Sequence, residues 1–220
     1  GNYFTDYMSV TEFEKVLEGQ DCSKDIQQEI KQKDGENDGN GYKDIFAGVN
    51  NGGYYMVDPK TLYIIKINSI GSYSIQRAMP IDDITRDGFQ DVLLAHSANR
   101  AIVIDGAEGG YAMNIPIADK SWVVDRIEDV SGDEVNDVIT GTLFNDNHAY
   151  FFDTYYQEVI FDDNFGEPVD AIKSIHDIYG DWSMEMVAGG RNGKITCYSG
   201  GLDAPVGIPD AHKPGPVTIQ

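Results

Sequence analysis

The sequence predicts an all-β fold, a β-propeller with four recognisable blades of about 47 residues and four antiparallel strands each. Four acidic loops recur along the chain. Their closing carboxylates, Asp44, Asp91, Asp137 and Glu185, follow one another at intervals of 47, 46 and 48 residues. A short apolar segment follows each loop: DIFAG, DVLLA, DVITG and EMVAG. Repeats of this length are typical of four-stranded propeller blades rather than helical arrays.

Alternation of apolar and polar residues predicts the strands of each repeat. In the second repeat the predicted strands are 74–79, 91–95, 101–105 and 111–117. In the third they are 122–127, 137–141, 149–153 and 158–162. The fourth has strands over 171–175, 185–189 and 194–198, but nothing after residue 201 resembles an outer strand. The outermost strand of that blade must therefore come from elsewhere.

The regions that flank the repeats are residues 1–24 and 204–220, so the propeller repeats occupy residues 25–203. Residues 11–17 carry a plausible strand, which either closes the last blade or ends a preceding blade. The C-terminal segment contains four prolines and no strand pattern, so we expect a linker there. The four repeats are either a complete small ring or part of a larger one.

The four loops read ENDGNGYKD, DITRDGFQD, DVSGDEVND and DIYGDWSME, with oxygen-bearing side chains at places one, three, five and nine. Ca²⁺ prefers six to eight oxygen ligands, and the alternate spacing turns several oxygens toward one point. Glycine at place six, as in Gly41 and Gly88, permits a sharp turn. The predicted calcium ligands, with the carbonyl at place seven, are Glu36, Asp38, Asn40, Tyr42 and Asp44; Asp83, Thr85, Asp87, Phe89 and Asp91; Asp129, Ser131, Asp133, Val135 and Asp137; and Asp177, Asp181 and Glu185.

Up to four calcium ions are therefore expected, with weak or absent binding in the fourth loop, where Tyr179 and Trp182 replace suitable residues. An EF-hand is excluded because place twelve is Ala47 in the first loop and Leu94 in the second, and because strands rather than helices follow. The alternative is that the loops are turns rich in Asp, Asn and Gly that hold no metal.

With these loops, the chain resembles the FG-GAP or VCBS class of calcium-binding propeller repeats, the class that also forms the head of integrin α subunits. The resemblance covers roughly residues 25–203. The segments GGYYMVDPKT, RAIVIDGAEGG, HAYFFDTYYQE and GKITCYSGGLD are similar to strands of pyrroloquinoline-quinone-type propellers. The resemblance implies a calcium-stabilised binding module, and the second similarity alone suggests a quinone enzyme, which we disfavour.

Composition restricts the partners and the compartment. The formal charge of −21 and the pI near 4.2 exclude nucleic acid as a natural partner, because phosphate binding needs a basic surface. No apolar run is long enough for a membrane helix. Weak calcium loops need extracellular calcium, so a secreted or cell-surface protein is expected. Cys22 and Cys197 are either two isolated thiols or a disulfide across the ring closure.

Catalytic patterns are sparse, so a non-enzymatic module that binds a protein or a glycan is favoured. The four histidines are scattered, although Asp82, Asp83 and His96 could approach one another. The alternative is the propeller portion of a carbohydrate-active enzyme such as a polysaccharide lyase. Tyrosines could stack on sugars there, although strand packing is expected for most of them; they are Tyr54, Tyr63, Tyr73, Tyr111 and Tyr155. The sequence leaves the oligomeric state open.

Overall fold

The computed structural model describes residues 44–58, 61–143, 145–178, 180, 183–199 and 216–217. Within these ranges all regular secondary structure is β-strand. The same residues contain no helix of the length and apolar character needed to cross a membrane. The chain divides into two compact units, Gly1–Ala78 and Met79–Gln220.

The described part of the first unit contains a three-stranded antiparallel sheet in the order β1-β2-β3. Its strands are β1 (Ile45–Gly48), β2 (Gly53–Val57) and β3 (Ile64–Ser69). Tyr54 is buried in β2, and its ring stacks on Phe46 with the centroids 5.0 Å apart. Gly48 is needed because a Cβ atom there would lie 2.6 Å from Cγ2 of Ile75.

Eleven further strands begin beyond the division between the units, and β4 (Ile75–Pro80) crosses that division. They are β5 (Val92–His96), β6 (Arg100–Ile104), β7 (Tyr111–Pro116), β8 (Ser121–Ile127), β9 (Asp137–Thr142), β10 (His148–Asp153), β11 (Glu158–Asn164), β12 (Val169–Ile175), β13 (Glu185–Gly190), β14 (Ile195–Ser199) and β15 (Pro216–Val217).

These strands form antiparallel, four-stranded repeats. Blade two consists of β4 to β7, blade three of β8 to β11 and blade four of β12 to β15, each in sequential order. A single pair, His96 with Ser121, also joins β5 to β8. The predicted strands of the last three repeats are confirmed, with limits that agree within two residues at either end. The strict period of the sequence thus corresponds to one blade.

The outermost strand of blade four corrects one prediction. No strand was expected after residue 201, but β15 pairs with β14, with Pro216 opposite Tyr198 and Val217 opposite Cys197. Proline cannot donate a backbone hydrogen bond, so it is tolerated in an edge strand and gives no strand pattern. The predicted closing strand at 11–17 lies outside the described residues.

The core of the second unit lies between neighbouring blades, and blade three faces two of them. Val138 and Phe152 pack in a cluster with residues of blade two, whereas Ile139 and Phe151 pack with residues of blade four. Successive side chains of a strand point to opposite faces, so both faces of β9 and β10 are buried. Gly141 permits close packing, because a Cβ atom there would lie 2.6 Å from Cγ1 of Val169.

Candidate functional site

The candidate site is the set of acidic loops between the first and second strands of blades two, three and four. Three closing carboxylates are buried at the start of the second strand: Asp91 and Asp137 are 0% exposed, and Glu185 is 1% exposed, whereas Asp44 is exposed. A carboxylate at each of the three buried positions accepts hydrogen bonds from the N–H groups of its own loop. In this respect the closing carboxylates are structural parts of the core as well as candidate ligands.

Each of the three buried closing carboxylates accepts a backbone hydrogen bond from place two of its loop, and the two aspartates accept another from place three. The N–H groups of Ile84 and Thr85 donate to Oδ2 of Asp91 at 2.9 and 3.2 Å. The N–H groups of Val130 and Ser131 donate to Oδ2 of Asp137 at 2.8 and 2.9 Å.

In the fourth loop the N–H of Ile178 donates to both carboxylate oxygens of Glu185, at 3.0 and 3.1 Å. The longer glutamate side chain therefore serves the same function as the aspartates. The hydrogen bond from place two is therefore present in all three loops, even where the closing residue is a glutamate.

The second oxygen of each closing aspartate holds the turn between the third and fourth strands. The N–H of Gly106 donates to Oδ1 of Asp91 at 2.9 Å, and the N–H of Thr154 donates to Oδ1 of Asp137 at 3.4 Å. Gly106 is needed because a Cβ atom there would lie 2.0 Å from the carbonyl oxygen of Gln90. One carboxylate thus joins a loop, a strand and a turn at one edge of its blade.

The carboxylate at place one organises the middle of its loop. Asp83 accepts hydrogen bonds from the N–H groups of Asp87 and Gly88 at 3.0 and 2.6 Å, and from the hydroxyl of Thr85 at 3.2 Å. Asp177 accepts one from the N–H of Gly180 at 2.6 Å. These bonds are typical of turns in which an aspartate accepts hydrogen bonds from the backbone that follows.

Asp129 does the same in the third loop, with one more backbone donor. It accepts from the N–H groups of Gly132, Asp133 and Glu134 at 2.5, 3.2 and 2.7 Å, and from the hydroxyl of Ser131 at 3.2 Å. The loops are therefore ordered by their own backbone hydrogen bonds.

The loops require a left-handed backbone at two places rather than one. In the second loop these are Arg86, with φ of 61°, and Gly88, with φ of 98°. In the third loop they are Gly132, with φ of 88°, and Glu134, with φ of 69°. Gly180 at place four of the fourth loop also has a positive φ, of 86°. The turn at place six was predicted from sequence, whereas the one at place four was not, although Gly39, Gly132 and Gly180 stand at that place.

Burial changes the protonation of the closing aspartates. It raises the pKa of Asp91 to about 6, against the opposing effect of hydrogen bonds from Gly106, Ile84 and Thr85. Burial likewise raises the pKa of Asp137 to about 7, and the nearby charge of Asp153 adds to the rise. A cation in the loop would favour the ionised form of these groups.

Asp83, the half-buried carboxylate at place one of the second loop, behaves in the opposite way. Burial would raise the pKa of Asp83, but hydrogen bonds led by that from Gly88 outweigh this and hold the pKa below its usual value. In the second loop, a lowered pKa therefore holds Asp83 as an anion, whereas a raised pKa holds Asp91 toward neutrality.

The fit of the loops to calcium differs between them. No group of three or more His, Cys, Asp or Glu side chains suited to a metal is found among the residues that the structure describes. In the third loop, Oδ1 of Asp133 accepts from the N–H of Val135 at 2.8 Å, while Oδ2 of Asp133 is buried without a hydrogen-bond partner. A buried carboxylate oxygen without a donor is a position that a hard cation would satisfy. The third loop is thus the best fit.

Several predicted ligands fall outside the described part of the chain: Glu36, Asp38, Asn40 and Tyr42 of the first loop, and Asp181 of the fourth. Asp44 is described and is exposed. In the second and third loops, every predicted ligand residue lies in the loop or at the start of the following strand. Their coordination of a metal stays a prediction.

A second set of aspartates stands at or just after the ends of β2, β6 and β10, in the segments that resemble pyrroloquinoline-quinone-type strands, and none of them was predicted as a site residue. Asp58 and Asp153 are buried, at 2% and 3% exposed. Asp58 accepts from the hydroxyl of Thr61 at 2.6 Å, Asp105 from the N–H of Ala107 at 2.7 Å, and Asp153 from the N–H of Tyr156 at 2.7 Å. They recur at intervals of 47 and 48 residues, a signal that identifies them as turn aspartates.

The tyrosines proposed for sugar stacking are more exposed than expected. Tyr54 is buried, at 1% exposed, so only its packing role is confirmed. The expectation that packing accounts for most of the five is wrong, because the other four are 42 to 50% exposed: Tyr63, Tyr73, Tyr111 and Tyr155.

The histidine and cysteine hypotheses receive partial answers. His96 is buried, and its Nδ1 accepts from the N–H of Ala98 at 3.1 Å, while Asp82 is paired with Arg126 and Asn136. Cys197 is a buried free thiol, and Cys22 lies outside the described residues.

Comparisons with known proteins give the fold alone. No family model and no curated protein matches the chain. Two solved structures of BBS1N in complex with ARL6DN, one soaked with lead and one with mercury, match at a TM-score of 0.54 and 12% identity. They cover 72% of this chain, which spans only 45% and 47% of theirs.

BBS1N is a β-propeller. The chain has the all-β, propeller-type fold that its sequence period predicts. The narrower resemblance to calcium-binding repeats stays a prediction.

Proposed function

We propose that this chain is a calcium-stabilised β-propeller module that binds a protein partner through the edge formed by its acidic loops. The observation that carries this proposal is the order of that edge. Loops of successive blades repeat the same hydrogen bonds, and their closing carboxylates anchor them to the core. Ordered loops on a rigid scaffold are the usual location of binding residues.

Neighbouring loops of the edge are also joined to each other. The guanidinium of Arg86 donates to the carbonyl of Asp133 at 3.3 Å, and the amide of Asn136 donates to the carboxylate of Asp82. Two blades therefore present one continuous surface. A continuous, pre-ordered surface lowers the entropy lost on association.

Calcium would stabilise this edge by binding inside the acidic loops. In the third loop it would be held by Asp129, Ser131, Asp133, the carbonyl of Val135 and Asp137. The ion would supply positive charge to carboxylates that now depend on backbone N–H groups, and it would satisfy Oδ2 of Asp133. Because such loops bind calcium weakly, the protein would be loaded outside the cytosol, which supports a secreted or cell-surface location.

A protein is the favoured partner class. The solved relatives by fold include BBS1N in complex with ARL6DN, which is a protein complex. A glycan is the second candidate, and the four exposed tyrosines favour it. A catalytic carbohydrate-active role has no additional support from the described residues.

The metal part of the proposal is tested by melting the protein in calcium and in EDTA, with Asp133→Asn and the exposed control Glu167→Gln. A cation that binds only the folded state raises Tm. We expect a higher Tm in calcium for the parent chain and for Glu167→Gln, and a smaller rise for Asp133→Asn. Equal rises in all three proteins would place the ion away from the third loop, and no rise in any would remove calcium from the proposal.

The partner class is tested by two parallel screens of the calcium-loaded protein. The first is selection from a random 16-residue peptide library displayed on phage, and the second is a glycan array. Enrichment of peptides with an empty glycan array is the expected result. Glycan binding without peptide enrichment would replace the protein partner with a carbohydrate.

A further inference from the structure

The edge of blades two and three carries exposed aromatic residues that the loop scaffold does not need. Tyr155 and Tyr156, in the turn between β10 and β11, are 49% and 66% exposed, and their rings meet edge to face with the centroids 5.0 Å apart. The guanidinium of Arg86 lies over the ring of Tyr155, 5.0 Å from its centroid.

The aromatic residues extend to blade two. The side-chain amide of Gln157, next to Tyr156, donates to the carbonyl of Ala112 at 3.1 Å, and this contact places the turn beside Tyr111, which is 50% exposed. We name Arg86, Tyr111, Tyr155 and Tyr156 the aromatic patch. Exposed tyrosine and arginine residues are enriched among the residues that dominate protein interfaces.

A cavity of about 270 Å³ adjoins the same pair of loops. Its charged residues are Asp82, Arg126 and Glu128, and the half-buried Met184 supplies apolar wall. Asp82 of the cavity lies four residues before Arg86 of the aromatic patch, so one segment of the chain contributes to both. Asp82 contacts Asn136, and Arg86 contacts the carbonyl of Asp133. The volume is below the roughly 300–1,000 Å³ of small-molecule pockets, and so suits a single side chain.

The charge of this surface indicates which kind of partner side chain would bind in the cavity. Two carboxylates and one guanidinium give the cavity a net negative charge, and the guanidinium of Arg126 is already 3.6 Å from the carboxylate of Asp82. Acidic residues also surround the aromatic patch, with Asp87, Glu108 and Glu134 all exposed. The whole chain carries a charge of −21. A cationic side chain with an aliphatic stem complements both the carboxylates and the apolar wall.

We infer that this surface binds a lysine- or arginine-bearing segment of a protein partner. One cationic side chain enters the cavity, with its stem against Met184 and its head at Asp82 and Glu128. The neighbouring residues of the segment pack on Tyr155 and Tyr156. This inference rests on the proposed function, because it names the partner chemistry of the same loop edge.

The test compares binding of the selected 16-residue peptides to the parent chain and to three variants. Tyr156→Ala and Asp82→Asn alter the surface, and Tyr73→Ala removes a matched tyrosine, 48% exposed, in the other unit. We expect the peptides to be rich in Lys and Arg and to lose about 30-fold in affinity with Tyr156→Ala, the effect of removing an interface hot spot. Asp82→Asn should weaken binding and reduce its salt dependence, and Tyr73→Ala should bind as the parent does.

The outcomes separate the inference from the proposed function. Peptides that bind all four proteins equally would overturn the inference and leave a protein-binding module with another surface. Acidic peptides would also overturn it. Failure to enrich any peptide would overturn the proposed function together with the inference. Equal melting temperatures of the four proteins would show that lost affinity does not reflect lost folding.

Discussion

The second and third loops build the same turn with opposite choices of residue. The second has an arginine at place four and a glycine at place six, whereas the third has a glycine at place four and a glutamate at place six. All four residues have positive φ. The turn therefore demands two left-handed residues, and each loop meets that demand with one glycine and one strained side chain. Carboxylate acceptors at places one and nine hold the strained backbone in both loops.

The two loops differ in how completely their carboxylates are satisfied. Asp91 accepts three hydrogen bonds of 2.9 to 3.2 Å, while Asp137 accepts two of 2.8 and 2.9 Å and a third of 3.4 Å. Asp137 also has the more strongly raised pKa, and Oδ2 of Asp133 lacks a partner. The second loop is thus nearly complete without a metal, and the third is the one that a cation would complete.

The largest expected effect follows from removing a closing carboxylate. Asp91→Ala should lower the free energy of unfolding by about 4 kcal/mol, because it leaves several backbone N–H groups buried without an acceptor. Asp137→Ala should cost less than Asp91→Ala in EDTA, since its third hydrogen bond is long and its ionised form is less favoured. Urea unfolding in EDTA measures both. A smaller loss for Asp91→Ala would contradict this ranking of the loops.

The second effect is a pH dependence that belongs to blade two. Burial lowers the pKa of His96 to about 4, so below pH 6.5 the unfolded chain binds this proton more readily than the folded one. The free energy of unfolding therefore has its full contribution from neutral His96 above pH 6.5. It falls as the pH falls, by about 3 kcal/mol at pH 4. His96→Asn keeps an acceptor for the N–H of Ala98 and cannot titrate. Urea midpoints between pH 7 and pH 4 should therefore fall less for the variant, and parallel curves would contradict this role.

Replacing one glycine in each loop by alanine compares the two turns directly. Gly88→Ala and Gly132→Ala should each destabilise the protein by about 1 kcal/mol, because a Cβ atom is unfavourable at positive φ. A Cβ at Gly88 meets no atom within 4 Å, so the cost there is conformational rather than steric. Thermal unfolding measures both variants. A neutral Gly88→Ala would show that place six tolerates any residue.

The smallest effect is a gain. Glu134→Gly should raise stability by about 0.5 kcal/mol, since glycine relieves the left-handed strain at a modest entropic cost. Arg86→Gly should gain less, because Arg86 also contacts Tyr155 and the carbonyl of Asp133. Urea unfolding of both variants resolves this order, and a larger gain for Arg86→Gly would show that those contacts contribute nothing.

The periodic parts of this fold were accessible from sequence because local chemistry repeats with them. Burial of Asp91 and Asp137 leaves an acid at a fixed distance before an apolar strand, so the loops and strands were predicted together. Place four was missed although Gly39, Gly132 and Gly180 stand there, because Arg86 interrupts the glycine pattern in the second loop. Strand β15 was missed because an edge strand containing Pro216 needs no alternating pattern.

The aromatic residues show the other limit of sequence reasoning. Tyr54 and Tyr111 both lie near the start of a strand, yet one is buried and the other is half exposed. The exposure of each tyrosine depends on which face of its strand packs against another sheet. Alternation of residues along a strand separates the two faces but does not say which face is buried. The contact of Arg86 with Tyr155, far apart in sequence, likewise depends on tertiary packing.

Hydrogen exchange of the loop amides, with and without calcium, tests the central claim most directly. The N–H groups of Gly132 and Glu134 report on the third loop, and those of Asp87 and Gly88 on the second. The account predicts that calcium slows exchange in the third loop by about tenfold or more, and in the second loop by less. Identical exchange of both loops in calcium and in EDTA would contradict it.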